Sequence, residues 1–123
     1  MSQQIFSIGI KAKELMFKVL DATTCRNKYP VRFRRLSDIL QSTAMDIYCH
    51  STDANVIKAD TSQRKTARFD LQTSVISSCD KFLSLAEYSY HAKLISENTC
   101  EKWTGLASDI KYMTLSWRSK TGS

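Results

Sequence analysis

Residues 27–40, NKYPVRFRRLSDIL, contain the only proline of the chain and separate two stretches of helical pattern. The residue before a proline is pushed out of the α region, so Tyr29 is predicted to be the boundary between two helices. Pro30 suits the first turn of the second helix, where its missing N–H group costs no hydrogen bond. Beyond it the apolar side chains recur at helical spacing, at Phe33, Leu36, Ile39 and Leu40. The stretch therefore predicts where one helix ends and the next begins.

Apolar side chains repeat every three or four residues on both sides of this boundary, which is the period of an amphipathic helix. The pattern predicts four helices, at residues 10–25, 31–59 and 62–93 and from an N-cap at Ser96 to Trp117. A side-chain oxygen of Asp60, Thr61 or Ser62 can cap the third helix. Residues 1–9 and 119–123 lack the pattern and are predicted to be loose.

Turn residues are scarce, and this decides the fold class. Three glycines and one proline in 123 residues are too few for a many-stranded β fold, which needs turn residues about every ten positions. Four helices joined by short connections predict an all-α fold, an up-down-up-down antiparallel four-helix bundle that forms a single domain over residues 1–123. A three-helix bundle with a mobile first helix is the alternative.

Positive charge is concentrated in two parts of the chain, which carries 18 basic and 12 acidic residues and a net charge of +6. The first basic cluster lies in residues 22–37, which include no acid, and consists of Arg26, Lys28, Arg32, Arg34 and Arg35. The second basic cluster is predicted at the opposite end of the bundle and consists of Lys58, Arg64, Lys65, Arg68, Arg118 and Lys120. Within the second hairpin only Asp60 opposes it.

Both clusters favour a polyanionic ligand over a purely structural role. Cations in the first turn of a helix oppose the helix dipole, whereas a bound phosphate would be stabilised by the dipole, the amides and the arginine forks together. A basic face kept for solubility is the alternative reading of each single residue. Tyr29, inside the first cluster, is the aromatic side chain that we expect to contact a base. The ten arginines and lysines of the clusters other than Lys58, together with Tyr29, are the predicted binding residues.

No arrangement of residues indicates catalysis. The two histidines, His50 and His91, are predicted near opposite ends of antiparallel helices, and the chain has no phosphate-binding loop, dinucleotide or zinc-protease motif. Its cysteines lack metal-ligand spacing and are predicted to be free and largely buried: Cys25, Cys49, Cys79 and Cys100. We therefore expect no enzymatic activity, no cofactor and no metal, with a thiol- or metal-dependent enzyme as the remote alternative.

The N-terminal residues MSQQIFSIGIKAKEL show no secretory signal pattern, and no apolar run approaches the length of a membrane span. A cytoplasmic location and no membrane partner are the expectations that follow.

Three stretches of the chain resemble a known family. They are KYPVRFRRLSDIL at residues 28–40, Ala54–Asn55 followed by the basic turn at Arg64 and Lys65, and DIKYMTLSW at residues 109–117. With these motifs, residues 15–120 resemble the accessory variability determinant proteins of diversity-generating retroelements. Those proteins are similar to a wider family of four-helix proteins that includes those encoded in 23S ribosomal RNA intervening sequences.

The resemblance implies a non-enzymatic protein that assembles as a homopentameric barrel. It implies that this assembly binds the retroelement reverse transcriptase and nucleic acid, including template RNA, and supports mutagenic complementary-DNA synthesis and retrohoming. The two basic clusters are the residues to which these binding roles would fall. The alternative is a structural or protein-interaction bundle of the intervening-sequence type with an unknown partner.

Overall fold

A computed structural model describes residues 6–24 and 29–122, and these residues form helices without any strand. The α-helices are α1 (Ser7–Thr24), α2 (Arg34–Val56), α3 (Ser62–His91) and α4 (Glu97–Gly122). A short 3₁₀ helix at Val31–Phe33 precedes α2. The prediction of an all-α fold with four helices is confirmed. Within the described ranges, no helix has both the length and the apolar character that crossing a bilayer requires.

The helices pack in a closed ring. Each helix contacts the next one along the chain, and α1 also contacts α4. Gln41 near the start of α2 donates a hydrogen bond of 2.8 Å to Thr23 near the end of α1. In the same antiparallel sense, Lys111 of α4 lies 2.8 Å from Asp80 of α3. The arrangement is compatible with a four-helix bundle.

All four helices contribute to one apolar core. Its largest members are almost completely buried, at 2 % exposure or less, and include Leu15, Val19, Leu40, Ile47, Val75, Phe82, Trp103 and Ile110. Burying an aliphatic or phenylalanine side chain of this size contributes about 1.5–3 kcal/mol. Because α1 supplies Leu15 and Val19 to this core, the alternative of a three-helix bundle with a mobile first helix is not supported.

Both ends of the helical region extend further than the sequence pattern indicated. α1 begins at Ser7, where the Phe6 ring packs edge-on against Trp117 with the ring centroids 5.2 Å apart. Gly9 makes room for this ring, since a β-carbon there would lie 2.6 Å from it. α4 continues to Gly122, and the buried Thr121 accepts a hydrogen bond from Gln72. Residues 7–9 and 119–122 are therefore helical rather than loose, because contacts between distant residues order them.

The helix boundaries inside the chain follow the predicted capping residues. The Thr61 side chain accepts a hydrogen bond of 3.1 Å from the amide of Arg64 and caps α3. Ser96 accepts an equivalent bond from the amide of Thr99 at the start of α4. Both predictions are confirmed. α2 ends three residues before the predicted position 59, because Ile57 adopts an extended backbone conformation.

Candidate nucleic-acid interface

The antiparallel helices bring the two basic clusters to opposite poles of the molecule. At the first pole α1 ends, α2 begins, α3 ends and α4 begins; at the second pole the other four helix ends meet. Arg32, Arg34 and Arg35 lie at the first pole. The second pole receives the α2–α3 connection and the end of α4, and with them Lys58, Arg64, Lys65, Arg68, Arg118 and Lys120. Arg26 and Lys28, also predicted for the first cluster, lie outside the described residues.

The three described arginines of the first pole are exposed at the surface. Arg34 and Arg35 are exposed at the start of α2, and the guanidinium of Arg32 lies 5.2 Å from the centre of the neighbouring Phe33 ring. In the part of the chain that the structure describes, none of the three forms an ion pair with a carboxylate. Arg34 also lines a shallow polar depression of about 250 Å³ between α1 and α2, in which Asp38 is the opposing charge.

Tyr29 packs into the bundle and does not stand in solvent as a stacking residue would. Its ring contacts the core, and its hydroxyl is buried without a hydrogen-bond partner among the described residues. Burial raises the pKa of Tyr29, while the neighbouring Ser89 side chain lowers it. The Ser89 hydroxyl donates its hydrogen bond to the Leu85 carbonyl. The prediction that Tyr29 contacts a base is therefore not supported by its position, because core contact outweighs its place among cations in the sequence.

Acidic side chains share the first pole with the basic cluster. Glu97 and Glu101 lie in the first turns of α4, and Glu87 lies near the end of α3. Burial raises the pKa of the Cys100 thiol, and these three carboxylates raise it further. Residues 22–37 contain no acid, but other parts of the chain bring acidic side chains to the same pole. The first pole therefore carries both positive and negative charges.

Arg68 at the second pole is fixed by two contacts, and neither of them is an ion pair with a carboxylate. Its Nε donates a hydrogen bond of 3.1 Å to the carbonyl oxygen of Ala54 in the last turn of α2. Its guanidinium lies 5.5 Å from the centre of the Trp117 ring on α4. A cation is stabilised at the C-terminal end of a helix by the helix dipole. Arg68 therefore joins three helices and keeps its positive charge.

Arg118 is held in the same manner on the seam between α3 and α4. It donates a hydrogen bond of 3.1 Å to the Thr73 side chain. Its guanidinium lies 5.1 Å from the centre of the Phe69 ring, within the range of a cation–π interaction. Phe69 is 38 % exposed, so this pair lies at the surface and is accessible to a ligand.

Arg64 differs from Arg68 and Arg118 because a described carboxylate neutralises it. Its guanidinium is 2.8 Å and 3.1 Å from the two carboxylate oxygens of Asp60. This hydrogen-bonded cation lowers the pKa of Asp60. Lys65 on the next position of α3 forms no ion pair within the described ranges. Arg64 is therefore a weaker candidate for binding a polyanion, whereas Arg68, Arg118 and Lys65 stay candidates.

The interior beneath the second pole is polar. Gln72 is fully buried, and its amide nitrogen donates a hydrogen bond of 3.0 Å to the Thr121 hydroxyl. The amide oxygen of Gln72 is buried without a hydrogen-bond partner from the described residues. Ser51 of α2 is also fully buried and donates a bond to the Tyr48 carbonyl. Interhelical polar contacts as well as apolar packing therefore hold this end of the bundle together.

The described cysteines differ in burial, and they do not come together with other potential metal ligands in groups of three within the described ranges. Burial, reinforced by Asp80, raises the pKa of Cys79 to about 12, so this thiol stays protonated at neutral pH. Cys49 is exposed, contrary to the prediction of largely buried thiols, while Cys25 is outside the described residues. Among residues 6–24 and 29–122, no three potential metal ligands come together.

Sequence reasoning missed the aromatic partners of the second pole. The sequence pattern places Trp117 on the apolar stripe of the fourth helix, with only part of its side chain exposed, and Phe69 on the apolar face of the third helix. The usable signal was the spacing Lys65, Phe69 and Thr73, which places a cation, a ring and a hydroxyl on one face of α3. That this face meets Arg118 follows only from the pairing of α3 with α4.

No protein-family model matches this chain, and neither a curated protein nor a solved structure matches it. The inference about function therefore depends on the geometry of the two poles and on the resemblance in the sequence.

Proposed function

We propose that the protein is a non-enzymatic nucleic-acid-binding protein that contacts the sugar–phosphate backbone with its second pole. The observation that carries the proposal is the pair Arg68 and Arg118. Each is held by an aromatic ring and a hydrogen bond, and neither forms an ion pair with a carboxylate of residues 6–24 and 29–122. Arginine forks match phosphate oxygens in geometry, and a side chain already fixed loses less conformational entropy on binding.

The surrounding charge supports the same ligand. The chain carries a net charge of +6, and α4 has no acidic residue after Asp109. Lys65 and Lys120 therefore add positive charge to the pole at which the two arginines lie. Long-range attraction of this kind raises the association rate with a polyanion and does not require a particular base sequence.

The resemblance extends this proposal to a biological role. The protein would act as an accessory protein of a diversity-generating retroelement, bind the template RNA and the reverse transcriptase, and assist mutagenic complementary-DNA synthesis and retrohoming. A homopentamer is part of that role. Five copies at +6 each would carry about +30, a field that attracts nucleic acid far more strongly than one copy does.

The first pole is the proposed contact for the reverse transcriptase. Its exposed Arg34 and Arg35 lie near Val31, which is 77 % exposed, and share the pole with Glu97 and Glu101. A surface of mixed charge with an exposed apolar side chain suits a protein partner better than a uniformly negative backbone.

A structural or protein-interaction bundle with an unknown partner is the second candidate. The observation in its favour is the outer face of α1, where Ile10 and Phe17 are 56 % and 53 % exposed. They are separated by two helical turns and therefore lie on the same face. This apolar face would serve an oligomer in the leading proposal and a foreign protein in the alternative.

Salt dependence of RNA binding tests the proposal. The affinity of the full chain for a fluorescein-labelled RNA of about 20 nucleotides is measured by fluorescence anisotropy. If about four or five phosphates are contacted, the affinity should fall roughly 50- to 500-fold between about 50 and about 200 mM salt. An affinity that does not change over this range, or no binding at all, would contradict the proposed function.

The retroelement role has a separate test. Co-expression with a reverse transcriptase encoded beside this gene, followed by affinity purification, should recover both proteins. Substituting Arg34→Glu and Arg35→Glu should abolish this recovery while RNA binding persists. Recovery that depends on the second pole instead would contradict the assignment of the two poles.

A further inference from the structure

At the second pole, on the seam between α3 and α4, a planar cation lies over a partly exposed aromatic ring. Phe69 projects from α3 and Arg118 from α4, and the guanidinium carbon lies 5.1 Å from the ring centre. The hydrogen bond of 3.1 Å to Thr73 fixes the orientation of the guanidinium. A flat, positively charged surface is thus present before any ligand binds.

A second exposed ring lies on α4, before Arg118 in the chain. Tyr112 is 64 % exposed, and the Lys111 ammonium lies 5.6 Å from the centre of its ring. Lys111 precedes Arg118 by seven residues, which is about 10 Å along a helix axis. Its charge is shared with Asp80 at 2.8 Å, and this carboxylate raises the pKa of Lys111. Arg118 forms no ion pair with a described carboxylate, so its cation is more available to a ligand than that of Lys111.

We infer that the second pole binds single-stranded nucleic acid in preference to a duplex, with a base stacked on the Arg118–Phe69 pair. This inference depends on the proposed function and specifies its ligand. Bases in a single strand can expose their faces to aromatic rings and guanidinium planes, whereas bases in a duplex are already stacked on one another. A binding site that used phosphates alone would need cations but no exposed ring beside them.

The acidic side chains near the seam do not cover this surface. Asp80 is engaged by Lys111, and Asp60 by Arg64. Asp70 is exposed next to Phe69 in the sequence, but it forms no ion pair with another described residue. The carboxylate of Asp70 repels a phosphate and leaves the stacking of a neutral base unaffected.

The inference is tested with variants that keep the charge and change the stacking surface. Arg118→Lys retains the cation but loses the guanidinium plane, and Phe69→Leu retains apolar volume but loses the ring. Arg35→Lys is the matched control at the first pole. Anisotropy is measured with fluorescein-labelled poly(U) and with a duplex of the same length, and inorganic polyphosphate serves as the competitor that has charge without bases. Circular dichroism verifies that each variant is folded.

We expect the native chain to bind poly(U) about tenfold more tightly than the duplex. Phe69→Leu should weaken poly(U) binding about tenfold and leave competition by polyphosphate unchanged. Arg118→Lys also loses a fork for phosphate, so it should weaken poly(U) binding more than it weakens polyphosphate binding, while Arg35→Lys changes neither. If Arg118→Lys does not fold, Phe69→Leu provides the same comparison at a partly exposed position.

The outcomes separate this inference from the proposed function. Equal affinity for the strand and the duplex, or equal losses for poly(U) and polyphosphate, would overturn the stacking inference while nucleic-acid binding stands. If the native chain binds none of the three polyanions, the proposed function itself fails, and the inference fails with it.

Discussion

Both poles carry cations, but they hold them in different ways. At the first pole, Arg34 and Arg35 extend from the start of α2 and form no ion pair with another described residue, and the glutamates of α4 lie at the same end. At the second pole, Arg68 and Arg118 are fixed by rings and hydrogen bonds. We expect the surroundings of a charge, more than its position in the sequence, to decide how well it can bind a phosphate.

Reversing charge at each pole should give the largest difference between them. The double substitution Lys65→Glu with Arg118→Glu removes two cations from the second pole and adds two anions. We expect it to weaken RNA binding about 100-fold at low salt, since attraction to the backbone becomes repulsion. Fluorescence anisotropy with the RNA used for the salt titration measures the change.

The matched control is Arg34→Glu with Arg35→Glu, which changes the net charge by the same amount at the first pole. α2 has 23 residues, so its two ends are about 35 Å apart, which is more than twice the screening length of about 14 Å at about 50 mM salt. This variant should therefore lose less than about tenfold in affinity. Equal losses for both variants would mean that net charge alone governs binding.

Most of the fold could be predicted from the sequence because its signals are local. The proline at position 30, the apolar period and the caps at Thr61 and Ser96 each act within one or two helical turns. The terminal segments could not be predicted in this way. Phe6 is ordered by Trp117, and Thr121 by Gln72, and neither contact leaves a periodic signal in a short segment.

The composition of the second pole was predictable, but the chemical state of its members was not. Basic residues at 64, 65, 68 and 118 are visible in the sequence, and so is Asp60 four residues before Arg64. Which cation would meet a carboxylate, a ring or a carbonyl depends on how α3 and α4 are paired. Tyr29 has basic neighbours in the sequence, but in the structure it packs against the core. This contact could not be predicted from the neighbouring residues.

Removing single arginines should distinguish the poles by stability. Arg68→Ala deletes a charged hydrogen bond to Ala54 and the contact with Trp117, and we expect the free energy of unfolding to fall by about 1–2 kcal/mol. Arg34→Ala removes an exposed side chain and should change it by less than about 0.5 kcal/mol. Urea unfolding followed by circular dichroism measures both. A loss at Arg68 as small as that at Arg34 would show that Arg68 is not structurally held.

The buried amide of Gln72 beneath the second pole allows a second test of stability. Gln72→Met keeps a similar volume and removes an amide oxygen that is buried without a partner among the described residues. Thr121 still donates its hydrogen bond of 3.2 Å to the Trp117 carbonyl. The substitution also deletes the hydrogen bond from Gln72 to Thr121, which is worth about as much as the unpaired oxygen costs. We therefore expect the free energy of unfolding to change by less than about 1 kcal/mol. A loss of more than about 2 kcal/mol in urea unfolding would show that the amide oxygen does have a partner.

The smallest effect should come from releasing Arg64. In the native protein Asp60 neutralises its guanidinium, and the lowered pKa of Asp60 keeps this carboxylate ionised to a more acidic pH than usual. The pair therefore contributes above the ordinary pKa of an aspartate, about 4, and is lost only as the pH falls through the lowered folded value.

Asp60→Asn removes the carboxylate at pH 7 and should strengthen RNA binding about twofold, because one more guanidinium becomes available to phosphate. Asp38→Asn makes the same change in net charge at the first pole, beside Arg34, and should leave the affinity unchanged within error. Both are measured by anisotropy at low salt. If Asp38→Asn strengthens binding as much as Asp60→Asn does, RNA does not distinguish the poles, and the preference for the second pole would have to be abandoned.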